Sequence, residues 1–253
     1  FQPPNPSEKA KHIKGAIKHC KHTAPGPDGI PYRAYQKIGN LGFEILQGIW
    51  GDLCTQQEGN LPEDFNHATL VCLPKKVAGT REEFGDYYTP ENTRPLSNVN
   101  TDNRLLAAAA KRMLEPAADE WISQSQKGFL PNRSMLYNIL QIEYEAKQVV
   151  ANGRRGAIIL FDFRAAFPSM SQTFLMDIME EVGLGGQWKV MLKKFYVRNV
   201  QRIGNKEVHF EARAGIRQGC PISPLLFAIA ADMLLRKLKI DFPDAGVHAF
   251  ADD

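Results

Sequence analysis

The run Ala157-Ile158-Ile159-Leu160-Phe161 opens after Gly156 and reaches an aspartate, Asp162, before closing on Phe163. A continuous apolar run of this kind reads as a strand covered on both faces. A carboxylate delivered at its end needs a partner, because taking the ion out of water costs on the order of several kcal/mol. A second short strand is predicted from Val247 to Ala251, and it carries Asp252 and Asp253 at its tip. Two strands that bring acids to one place point to a divalent metal site. Paired Mg2+ ions about 3.5–4 Å apart, clamped by shared carboxylates, are a recurrent device for displacement at phosphorus. The plain alternative is that each acid is only a turn residue.

The 253 residues are 43% hydrophobic and 23% charged, which is a folded composition with ample core and excludes wholesale disorder. A net charge of +3 does not by itself identify a nucleic-acid binder. In the first forty residues, however, Lys9, Lys11, Lys14, Lys18, Lys21, Arg33 and Lys37 face only Glu8 and Asp28, which predicts a basic face or a solvated helix face there. Cys20, Cys54, Cys72 and Cys220 are far apart and form no C-x-x-C pair, so neither a disulfide framework nor a zinc knuckle is indicated. His19 and His22 flank Cys20, but no second ligand pair follows at a usable spacing. No signal peptide opens the chain, and no apolar run is long enough to span a bilayer. Starting at Phe1 and stopping on an acidic pair, the chain reads as an excerpt from something longer.

Ser7 to His22 reads as a charged helix that runs into Ala24-Pro25-Gly26-Pro27-Asp28-Gly29-Ile30-Pro31, a series of turn formers expected to make a loop of fixed geometry. Asn40 is a candidate cap for a helix carrying Phe43, Leu46, Ile49, Trp50 and Leu53 on one face. A strand over Ala68 to Leu73 ends at Pro74, and Lys75 to Asn92 reads as a long polar excursion, where function often concentrates. Helices are predicted from Thr101 or Asp102 through Met113, with Pro116 bending or ending the segment, and from Ser134 to Gly153. Two more are predicted over Ser171–Val182 and Gln187–Tyr196. Val200–Ile203 and Glu207–Phe210 flank Gly204-Asn205, a hairpin signal. Ser223 followed by Pro224 reads as a cap with proline at the first helical position, predicting a helix from Pro224 to Lys239.

Phe161-Asp162-Phe163-Arg164-Ala165-Ala166-Phe167 resembles the first carboxylate motif of reverse transcriptases, and Phe250-Ala251-Asp252-Asp253 resembles their second. Between them, Gly215-Ile216-Arg217-Gln218-Gly219-Cys220-Pro221-Ile222-Ser223-Pro224-Leu225-Leu226-Phe227 is similar to the family's template- and nucleotide-grip motif, in its non-LTR (LINE-type) retrotransposon form. Upstream, the segments Ala24–Pro31, Leu73-Pro74-Lys75-Lys76, Arg94-Pro95-Leu96-Ser97-Asn98 and Gln126-Lys127-Gly128-Phe129-Leu130-Pro131-Asn132-Arg133-Ser134 match that lineage's remaining motifs in order. The resemblance covers nearly the whole chain. Phe250 departs from the Tyr that many relatives carry, keeping the aromatic body and losing a hydroxyl.

The resemblance implies an α+β right-hand polymerase fold, with a fingers region over 1–150, an incomplete palm over 151–253 and the thumb absent. It implies RNA-directed DNA polymerase activity, adding dNTPs to a primer 3′-hydroxyl on an RNA template by two-metal phosphoryl transfer. Asp162 and Asp252 would hold two Mg2+ ions, which Mn2+ is expected to replace; Asp253 would support them, and Phe163 would offer its backbone carbonyl. Phe167 matches the aromatic that checks the ribose, although by itself it reads as a core Phe. Lys75 or Lys76, with Arg94, would reach the triphosphate. Gln218 and Gly219 would approach the nucleotide, and Arg217 would touch the template or pair with an acid. The implied partners are an RNA template, a DNA primer or target DNA and dNTPs, with no membrane, and the implied location is nuclear. Family members continue past the acidic pair, so these 253 residues alone are expected to have little or no activity. Two other readings stay open. One is a catalytically silent RNA-binding remnant of such an element; the other is an RNA-dependent RNA polymerase, which Phe167 discourages.

Overall fold

The computed structural model describes residues 2–56, 61–204 and 208–252. From the N-terminus, α1 (Ala10–Lys18), α2 (Tyr32–Lys37) and α3 (Asn40–Cys54) precede β1 (Ala68–Pro74), the hairpin of β2 (Gly79–Arg81) and β3 (Gly85–Tyr87), and β4 (Thr93–Val99). The long α4 (Thr101–Trp121) and α5 (Met135–Ala151) follow. After them come α6 (Ala166–Ser169), α7 (Gln172–Glu181), α8 (Gln187–Lys194), β5 (Val200–Ile203), β6 (His209–Glu211) and α9 (Ser223–Asp241). The architecture is mixed α+β.

The helices α1, α3 and α9 all pack on α4, whose buried face includes the small Ala107, Ala109, Ala110 and Ala118. Small side chains let neighbouring backbones come close, and Leu105, Leu106, Met113 and Leu114 fill the gaps between them. At the far side of α3, Trp50 and Trp188 meet edge to face with centroids 6.3 Å apart. Their indole N–H groups donate to the carbonyls of Pro6 (3.0 Å) and Pro4 (2.8 Å), so both buried rings hold the N-terminal segment.

The main sheet has the order β4-β1-β5-β6. β1 pairs antiparallel with β4 (Ala68 opposite Val99, Leu73 opposite Arg94) and parallel with β5. Because β4 is an edge strand, Pro95 is tolerated within it. The Pro- and Gly-rich loop at 24–31 docks where β4 turns into α4. Asn98 Nδ2 donates to Pro25 O (2.6 Å), Thr101 Oγ1 to Ile30 O (2.6 Å), and Arg104 Nη2 to Ala24 O (2.7 Å). A Cβ on Gly26 would stand 2.5 Å from the backbone of Asn100, so that approach requires glycine.

Most predicted helices are present, with shifted ends. The first stops at Lys18 because Thr23 and Ala24 are drawn onto Arg104 of α4. α4 continues through Pro116 to Trp121, since Ala118 and Ile122 beyond the proline are buried in the core. α9 begins at Ser223 with Ile222 in the cap position, one residue earlier than expected. β5 and β6 pair as the hairpin signal predicts, although Asn205 and Glu207 lie outside the described residues. Among the described residues, α2, β4, the short α6 and the β2–β3 hairpin inside the polar excursion went unanticipated.

Two expectations are corrected. Residues 156–163 form neither strand nor helix, and Ile159 and Leu160 are 71% and 86% exposed. A strand is a pairing relation, and among the described residues no other strand lies beside this run to take its N–H and C=O groups. Residues 247–251 likewise form only a single parallel bridge, Ala249 to Gln126.

Candidate active site

Lys75, Lys76 and Arg94 lie at one end of the β1–β4 pair. Arg94 stands opposite Leu73, and the pairing runs on as Lys75 N–H donates to Asn92 O (2.9 Å). All three basic side chains are exposed, so their charges are hydrated and free to meet an anion.

The segment from Gly215 to Ser223 lies against the same strand. Ser97 N–H donates to Gln218 O (2.8 Å), and Gly219, at φ +101°, sits where a Cβ would stand 2.8 Å from Ser97 O. Glycine is therefore required at 219 for both its backbone angle and its space. The Gln218 side chain keeps a buried Oε1 with no protein hydrogen-bond partner. Such an acceptor is costly unless water or a ligand meets it.

Arg217 is placed differently from its expectation. It is buried, and its guanidinium donates to Phe195 O (2.7 Å) and Asn66 Oδ1 (3.2 Å), with Asn103 Oδ1 at 3.5 Å. Its acceptors are neutral amide and carbonyl oxygens, and through them it ties α4, the end of α8 and the segment before β1 to the Gln218 loop. Burial pushes its pKa down and that of the neighbouring Tyr196 up.

Phe167 adjoins the same loop. Its carbonyl accepts from Ile216 N–H (2.7 Å), and Gly215 N–H donates to Met170 O (2.8 Å). Its ring stacks on Phe227 of α9 at 4.8 Å and 10°, while Phe129 meets both rings edge-on at 5.7 and 6.2 Å. Phe167 is thus held in a three-ring cluster, with its ring plane fixed. The sequence marked Phe129 and Phe227 only as motif members.

Phe129 leads to the acidic turn. Ala249 N–H donates to Ser125 O and Lys127 N–H to Ala249 O, both at 2.9 Å, and Asn138 Nδ2 donates to Ala249 O (2.8 Å). A Cβ on Gly128 would land on the backbone of Ala251, so only glycine fits there. The loop bearing these groups closes around Arg133, which donates to Asp119, Ser123 O, Gln126 O and Ile122 O. Asp252 lies in the turn itself, partly buried, and Asp253 is outside the described residues. Asp162 and Phe163 are exposed on the unpaired segment. Carboxylates and a backbone carbonyl suit Mg2+ chemically. Among the described residues, however, no group of three or more His, Cys, Asp or Glu stands together as a metal site.

Strand pairing, backbone bonds and ring contacts therefore link Lys75 and Arg94, the Gln218–Gly219 loop, Phe167 and Phe129 to the Gly128–Ala251 contact beside Asp252, and Asp162 lies on the unpaired segment before Phe167. The family described as reverse transcriptase (RNA-dependent DNA polymerase) matches residues 73–253, and the chain belongs to that family. Its relatives are Pol proteins of non-LTR retrotransposons. The chain is 29% identical over 249 residues to the Retrovirus-related Pol polyprotein from type-2 retrotransposable element R2DM of Drosophila melanogaster, covering 91% of this chain and 21% of that protein. It is 27% identical over 248 residues to the Transposon TX1 uncharacterized 149 kDa protein of Xenopus laevis, covering 88% and 18%. A type-1 R2 Pol polyprotein of Popillia japonica is 25% identical over 256 residues, covering 96% and 34%. The chain thus spans between 18% and 34% of the length of these relatives. Enzymes of the family generally use Mg2+, and no described helix is long and apolar enough to cross a membrane.

Proposed function

We propose that this reverse transcriptase domain is the catalytic part of an RNA-directed DNA polymerase of a non-LTR retroelement, with fingers over 1–150 and part of the palm over 151–253. The observation that carries this reading is the convergence of these segments. Segments distant in sequence, from β1 and β4, the Gln218 loop and Phe167, meet beside the turn that holds Asp252. In this reading Arg94 and Lys75 attract the triphosphate, the Gln218–Gly219 backbone allows its close approach, and the Phe167 ring excludes a 2′-hydroxyl. Asp162 and Asp252, with Asp253 and the Phe163 carbonyl, would hold Mg2+. The bound ions would supply the positive charge that offsets the negative charge of the reacting phosphates. Template RNA, a DNA primer or target and dNTPs are the proposed partners, and action at nuclear DNA is the proposed setting.

The test is primer extension on an RNA template with Mg2+. It uses the chain extended to the end of its reading frame, compares dNTPs with NTPs, and includes an Asp252→Ala control. Incorporation of dNTPs that the control abolishes is the expected result, with little or none from residues 1–253 alone. RNA binding without any incorporation would instead favour a silent remnant, and NTPs used as readily as dNTPs would favour RNA synthesis. Extension by Asp252→Ala at the parental rate would remove that residue from the site.

A further inference from the structure

Gln126 has no exposed surface, and its side-chain amide is directed entirely at one residue of the acidic turn and one of its own loop. Oε1 accepts from Ala251 N–H (2.9 Å) and from Gly128 N–H (2.8 Å), while Nε2 donates to Ala251 O (3.2 Å). Two N–H groups on one side and a carbonyl on the other admit only one orientation of the amide. Both peptide planes flanking Ala251 are therefore gripped by one side chain.

Ala251 needs such a grip. Its φ is +61°, the left-handed region, which an L-residue rarely adopts and which persists only where surrounding contacts over-determine it. The Gln126 main chain is itself fixed, because its carbonyl accepts from Arg133 (2.9 Å) and its residue bridges to Ala249. The peptide that Gln126 Nε2 holds is the one that leads into Asp252.

We propose that Gln126 is a positioning residue for the acidic turn: by clamping Ala251 in its left-handed conformation it sets the direction in which Asp252 presents its carboxylate. This rests on the reading of Asp252 as a catalytic acid, and Gln126 itself touches neither nucleotide nor metal. The side chain works as a mould for the backbone. A near-isosteric Met fills the space but lets Ala251 relax. Glu keeps both acceptor contacts and loses the donor to Ala251 O.

Two measurements test the proposal. In hydrogen exchange on the 253-residue chain, Gln126→Met is expected to speed exchange of the Ala251 amide about tenfold or more while the Ala249 amide, bonded to Ser125 O, stays slow. Gln126→Glu is expected to leave Ala251 protected. In single-nucleotide incorporation by the chain extended to the end of its reading frame, Gln126→Met is expected to lower kcat by about ten- to a hundredfold, as displacements near 1 Å do, with the dNTP KM unchanged. Asn138→Ala, which loses a bond to Ala249 in the same segment, should retain parental kcat. Equal kcat losses in Gln126→Met and Asn138→Ala would show general destabilisation and overturn the proposal, as would unchanged Ala251 exchange or unchanged kcat in Gln126→Met. Parental activity in Asp252→Ala would instead defeat the underlying assignment of the acid, a result separable from the exchange measurement.

Discussion

Replacing Asp232 tests how α9 is fastened to the loop beneath the acidic turn. Asp232 is fully buried; its Oδ1 accepts from Ser123 N–H (3.1 Å) and its Oδ2 from Arg236 Nε (2.7 Å). Arg236 also donates to Trp121 O (2.6 Å), and its guanidinium lies 4.3 Å over the Trp121 ring. In Asp232→Ala, Arg236 keeps its contacts to Trp121 and, with its side chain 40% exposed, stays hydrated, so little of the penalty comes from a stranded cation. The larger cost is the Ser123 N–H left without its acceptor, about 1–3 kcal/mol, to which the half-solvated ion pair adds about 1 kcal/mol. The expected loss is about 2–4 kcal/mol. Asp232→Asn keeps an acceptor for Ser123 and should lose about 1 kcal/mol. Urea unfolding with a common m-value measures both. An Asp232→Ala chain within about 0.5 kcal/mol of the parent, or an Asn variant as damaged as the Ala variant, would refute the reasoning.

Asp102, at the start of α4, has its pKa pushed up from 3.8 to about 6 by burial, with Asp28 and Asp64 adding repulsion. The native state therefore binds this proton more tightly than the unfolded chain, so stability should fall as pH rises from 3.8 to about 6 and be level above that. Asp102→Asn should remove that slope and gain up to about 3 kcal/mol at pH 7, and an unchanged profile by pH-dependent urea unfolding would contradict the assignment. Arg217→Met should leave the salt dependence of RNA binding unchanged, because the guanidinium is spent inside the core; a slope reduced by about one would return Arg217 to the nucleic-acid surface.

What could be read from sequence was mostly local. Ser134 and Ser171 accept from the backbone of the helices they open, and Ser223-Pro224 places the start of α9 to within a residue. These signals act over a few residues, and their chemistry is visible without the fold. The misplaced elements depend on partners elsewhere. β4 exists because β1 pairs with it, and Pro95 hid that pairing, whereas residues 156–163 have every apolar mark of a strand and no described strand beside them. Motif order marked Gln218, Gly219 and Phe167 as a set, and the structure joins them through backbone contacts to β4 and Ile216. It did not distinguish Arg217 from an exposed arginine, because its acceptors come from residues 66, 103 and 195. Gln126 stood in a motif but carried no assigned role, since its partner lies 125 residues away.

The tryptophan pair gives the molecule an optical reporter of its N-terminal segment. Trp50 and Trp188 are both buried, and each depends on a proline carbonyl of the N-terminal segment for its indole hydrogen bond. Undocking that segment would expose both rings and move their fluorescence emission to the red without disturbing the acidic turn. Trp121, beneath the guanidinium of Arg236, reports on α9 instead. Emission from single-tryptophan variants would then follow the two ends of the chain separately, showing whether they come apart together or in sequence during unfolding.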